Sequence, residues 1–68
     1  MKTKVPKDLE EALILQRKLE GLYQLLIRAV KADKPLKVRT RIAESYIRCL
    51  DAMIEYKRAK QREQAVHL

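Results

Sequence analysis

From Ile42 to Tyr56 the chain carries two apolar rows at helical spacing, offset by one residue, and a helix built that way has two faces to bury. Ile42, Tyr46, Cys49, Met53 and Tyr56 form one row; Ala43, Ile47, Leu50 and Ile54 form the other. Steps of three and four residues are the period of a helix seam, and the one-residue offset sets the rows about 100° apart around the axis. A single neighbouring helix covers one row, so the other needs a second neighbour.

The first neighbour lies upstream. Ala12, Leu15, Leu19, Leu22, Leu26 and Ala29 repeat the same alternation without a break, and Leu9, Tyr23, Ile27 and Val30 widen that stripe. Between the two patterned segments stands Asp33-Lys34-Pro35, the one strong interior break. A connection that short makes the helices antiparallel neighbours. The spacing predicts a basic, loose tail over residues 1–5, helix over about 6–32, a turn at 33–35 and helix over about 36–65. Pro6 suits a first helical turn, and Asp8-Leu9-Glu10-Glu11 reads as a cap with acidic residues gathered at the positive end of the helix dipole. Asp33 is expected to cap the second helix and Pro35 to open it. Gly21 inside the first helix costs ~1 kcal/mol relative to Ala, which suggests a close approach or a slight bend.

Size decides how the second row is covered. At 68 residues there is room for one small domain. Such a chain seldom draws more than ~3–5 kcal/mol from its own core and relies on a disulfide, a metal or a partner. Cys49 is the only cysteine and His67 the only histidine, so neither an internal disulfide nor a four-ligand zinc site is within reach. Association with further copies is the route left. The expected fold is all-α: an antiparallel two-helix hairpin assembling into a four-helix or larger homo-oligomeric bundle, with a homodimer as the expected species. The expected interface comprises Leu15, Leu19, Leu22, Leu26, Ile42, Tyr46, Cys49, Met53, Ile47, Leu50 and Ile54.

Catalytic chemistry has little to work with. Ser45, Thr3, Thr40 and Cys49 carry hydroxyl or thiol groups, but His67 sits next to the C-terminus with nothing to hold it as a base. Cys49 falls on a seam and reads as a small buried hydrophobe. Glu63 and His67 are four apart, whereas the carboxylate-bridged metal bundles use Glu-x-x-His. There is no glycine-rich phosphate loop. The expectation is a protein that is not an enzyme and needs no cofactor or metal. The longest apolar run is Ala12–Leu15, far below the ~18 residues of a membrane span, and the lone cysteine suits a reducing, cytoplasmic setting. Phe and Trp are absent and the apolar residues fall in seams, so no membrane partner is expected.

Charge supplies the positive signal. Sixteen basic against nine acidic residues give a net +7, distributed unevenly. Lys31, Lys34, Lys37, Arg39 and Arg41 stand against Asp33 alone, and Lys57, Arg58, Lys60 and Arg62 against Glu55 and Glu63. From Ile42 to Ile54 only Arg48 answers Glu44 and Asp51. A few units of net charge keep any small protein dispersed. Concentration at a hairpin tip and at a helix end is what binding to phosphates requires. The expected ligand is DNA or RNA held by its backbone, since no groove-reading motif is present. The rival expectation is an assembly or adaptor module whose free apolar row docks a larger protein.

Two resemblances accompany this reading. In length and layout the chain is similar to the Rop-type plasmid copy-number regulators, in which paired hairpins form a four-helix bundle that binds RNA loops. The stretch Leu19 to Met53, LEGLYQLLIRAVKADKPLKVRTRIAESYIRCLDAM, resembles helical-hairpin segments of small phage DNA-binding proteins, including terminase small subunits. A helix ending in Ala-Val-Lys-Ala-Asp, a tight turn and an Arg-rich helix start carry the likeness, over about half the chain. It implies a small nucleic-acid-binding regulator or accessory protein of a plasmid, virus or phage, and transfers no individual binding residue.

Overall fold

The computed structural model describes residues 3–66: two helices, α1 (Leu9–Lys31) and α2 (Leu36–Val66), packed against each other as a hairpin, with no strand among the described residues. His67 lies outside them, as do Met1 and Lys2.

Each helix boundary has a local cause. α1 begins at Leu9, three residues later than the position of Pro6 suggests. Asp8 is its N-cap, extended at φ −144°, and its carboxylate accepts from the Glu11 N–H at 2.9 Å. Glu11 reaches back to accept from the Lys7 N–H at 3.1 Å, so two N–H groups at the helix entrance are satisfied. Pro6 is buried in the segment before the cap.

At the far end Asp33 does not cap α2. It occupies the left-handed region at φ 53°, one residue past the α1 C-cap Ala32. The Lys34 N–H donates to the Ala29 carbonyl (2.9 Å) and the Asp33 N–H to the Val30 carbonyl (3.1 Å), the paired bonds of a Schellman ending. Glycine is the usual residue there, because only it meets no Cβ penalty. Pro35 precedes α2, and its carbonyl accepts from the Val38 and Arg39 N–H groups (3.0 and 3.2 Å). Gly21 is exposed, and a Cβ built on it would meet nothing within 4 Å. It marks no close approach.

The core is small. Leu15, Cys49, Ala52 and Met53 form its buried cluster, with Leu19, Leu22 and Tyr56 packed against it. Ala12 and Ala29 are the other buried apolar side chains of α1. Small residues let the helices approach, but among the buried apolar residues only Leu15 and Met53 carry large side chains. The chain exposes 5901 Å², whereas a compact monomer of 8.0 kDa exposes about 4,450 Å². Its radius of gyration is 14.7 Å, where a compact domain of this length has about 11 Å. The hairpin is a rod of 50 × 18 × 18 Å.

Candidate functional site

The register of the hairpin decides which apolar row is left over. Cys49, only 2% exposed, and Met53 face Leu15 across the seam, so the row from Ile42 to Tyr56 is the one α1 covers. Ile47, Leu50 and Ile54 stay 53%, 37% and 38% exposed. Of the residues expected at an interface between chains, Leu15, Leu19, Leu22, Cys49 and Met53 are taken up by packing within the chain. Leu26, Ile42 and Tyr46 are half-buried, and Ile47, Leu50 and Ile54 are free.

The two sides of the rod differ. At ~100° per residue, Tyr23 and Ile14 fall on opposite flanks of the Leu15–Leu22 seam of α1. On the Ile14 flank the segment before α1 lies back on the helices. Thr3, Lys4 and Pro6 share a cleft with Glu11, Ile14, Leu15 and Lys18, and Thr3 shares another with Arg48, Asp51, Ala52 and Glu55 of α2. On the other flank the Tyr23 and Tyr46 rings stand 6.1 Å apart at 42°, and the surface runs on through Ile47, Leu50 and Ile54. No described segment of the chain crosses that side.

The nine basic residues picked out in the sequence fall into two clusters at opposite ends of the rod. α2 has 31 residues against 23 in α1, so at 1.5 Å per residue it runs on by roughly 12 Å. With Leu15 level with Cys49–Met53, the start of α1 lies beside about Arg58, and the turns carrying Lys60 and Arg62 project beyond it. Lys57, Arg58 and Arg62 are exposed. Lys60 is held over the Tyr56 ring (5.7 Å to the centroid) and 3.5 Å from Glu63.

At the tip, Lys31, Lys34, Lys37 and Arg41 are exposed and none holds a salt bridge among the described residues. Arg39 is different: half-buried, with a shielded Nε that has no hydrogen-bond partner.

The dipoles sharpen the contrast between helix starts. α1 opens with Glu10 and Glu11 at its positive end and closes with Arg28 and Lys31 at its negative end, both favourable. α2 opens with no acidic residue in its first turn and with Lys37, Arg39 and Arg41 close behind. Lys37 and Arg39, in the first turn, work against the dipole, which falls off before Arg41. An anion at the tip is attracted both by this helix N-terminus and by the cations around it.

Among the described residues no three His, Cys, Asp or Glu side chains come together as metal ligands, and no helix is long and apolar enough to cross a membrane. Compared with protein families, with curated proteins and with solved structures, the chain has no match.

Proposed function

We propose that this protein is a non-enzymatic homo-oligomer, a dimer at its simplest, that binds DNA or RNA through phosphate contacts made by the hairpin tip and the projecting end of α2. The observation that carries the reading is the start of α2. Lys31, Lys34, Lys37 and Arg41 crowd a helix N-terminus that is already positive and carries no acidic residue in its first turn. Solubility alone would be served as well by cations spread along the rod. A polyanion is the ligand that turns this arrangement from a cost into a gain. Contacts of this kind position a protein on a backbone without reading bases, so weak sequence preference follows. The role that suits a chain with these features is that of a small regulator or accessory protein of a plasmid, virus or phage, as its resemblances imply.

The test is salt dependence. Four phosphate contacts imply a log–log slope of about −3.6 on B-DNA. Replacing Lys34, Lys37 and Arg41 with Gln should weaken binding to random duplex and single strands alike and flatten the slope by ~2–3 units. Failure of the wild-type chain to bind either polymer at 50 mM salt would transfer the assignment to a protein-docking adaptor.

A further inference from the structure

The exposed row of α2 has the pattern of a specific kind of seam. Numbered as a heptad, Ile47 and Ile54 take position a and Ala43 and Leu50 position d. Position g then falls to Arg39, Tyr46, Met53 and Lys60, on the side toward α1, and position e to Lys37, Glu44, Asp51 and Arg58, on the outer side. In a parallel coiled coil, Ile at a with Leu at d favours two strands over three or four.

The flanking charges separate the parallel register from the antiparallel one that keeps Ile47 on Leu50. In a parallel pair each g residue meets the e residue five places on in the other strand. This joins Arg39 to Glu44, Tyr46 to Asp51 and Met53 to Arg58 of the second copy, with no like charges among these three pairs. Two antiparallel registers are the alternatives. Packing Ile47 on Leu50 sets Glu44 beside Asp51 and Lys37 beside Arg58, like against like. Shifting by one heptad sets Ile47 against Lys57 and Asp51 against its own copy while joining Glu44 to Arg58; the parallel register sets Lys57, the d residue after Leu50, against its own copy.

Arg39 supplies a separate indication. It is half-buried, and its shielded Nε finds no acceptor among the described residues. Glu44 lies five residues on, about 140° around the same helix, out of its reach.

We infer that two copies pair through the open row of α2, parallel and in register, with Arg39 of each chain against Glu44 of the other. The inference rests on the self-association proposed above and fixes its geometry. The area suits such a pairing: the chain exposes about 1,400 Å² more than a compact monomer of its mass, and a standard interface takes ~800 Å² from each partner. Both hairpin tips then lie at the same end. Lys31, Lys34, Lys37 and Arg41 from each chain make one basic surface, not two poles. Seated side by side, the tips repel, so salt or a bound polyanion should tighten the dimer.

A charge swap tests the pairing on the intact chain, with sedimentation equilibrium as the readout. Arg39→Glu alone and Glu44→Arg alone should each weaken dimerisation by about tenfold, and the double variant should recover most of the loss. A double variant no better than the worse single variant overturns the parallel register.

Cross-linking gives a second measurement that does not depend on charge. In a Cys49→Ala background, Ala43→Cys should oxidise to a covalent dimer by itself, because parallel copies bring residue 43 onto residue 43. If Ala43→Cys joins only to Ile54→Cys chains when the two are mixed, the strands are antiparallel and the inference fails, while the nucleic-acid reading stands. If neither joins although the chain is dimeric, a different surface is used and the inference also fails. A folded monomer removes both the pairing and the self-association it rests on. Salt-dependent binding to nucleic acid by that monomer would leave the tip assignment in place.

Discussion

The two flanks of the hairpin start from similar material and end differently. On one, Ile14 and the α1–α2 groove are met by the segment from Thr3 to Pro6, with Pro6 buried and Thr3 and Val5 half-buried. On the other, Tyr23, Tyr46, Ile47, Leu50 and Ile54 leave an apolar surface open along the rod. A hairpin has one seam, and anything apolar off that seam needs further cover. The segment before α1 covers one flank in part, leaving Ile14 61% and Leu25 49% exposed, and a second copy is the proposed cover for the other.

The comparison is broken most severely at the seam itself, which both flanks share. Leu15→Ala removes one of the two large side chains in the buried core and should cost ~2–5 kcal/mol, enough to leave the hairpin largely unfolded at low concentration. Circular dichroism during urea titration would show it. Ile47→Glu strikes the open flank alone. It should weaken self-association, so that the helical signal and Tm of wild type are reached only at higher protein concentration.

Smaller effects sharpen the contrast away from the open flank. Asp33→Gly relieves a left-handed backbone held by a residue with a Cβ and should stabilise by ~1 kcal/mol, a rise of several degrees in Tm. Gly21→Ala should add up to ~1 kcal/mol, because the new methyl group meets open space. Neither change should alter the mass of the assembly. Loss of stability in Gly21→Ala would mean that the outer face of α1 is occupied after all.

The hairpin, its turn and the two rows of α2 are legible in the sequence because period and punctuation are local properties. Which row faces α1 is not. Tyr46, Cys49 and Met53 are no more apolar than Ile47, Leu50 and Ile54, so hydrophobicity cannot rank them. Side-chain size cannot either, since Cys49 in one row is matched by Ala43 in the other; Ala52, a buried small group that lets the helices come close beside Cys49, belongs to neither row. The mistaken role for Asp33 has the same origin, since Asp serves equally at a helix start and, less often, in a left-handed turn. Pro6 misleads about where α1 begins, whereas the cap read at Asp8-Leu9-Glu10-Glu11 is present, with Asp8 satisfying the Glu11 N–H. For the basic residues, the sequence shows their clustering, and the structure separates exposed Lys31, Lys34, Lys37 and Arg41 from shielded Arg39.

Mass in solution tests the central claim most directly, because everything said of the open flank depends on a second copy covering it. Light scattering after size exclusion at low micromolar concentration should give at least 16 kDa, twice the 8.0 kDa chain, and thermal unfolding should move to higher temperature as concentration rises. A helical, cooperatively unfolding species of 8 kDa whose Tm is independent of concentration would contradict the account.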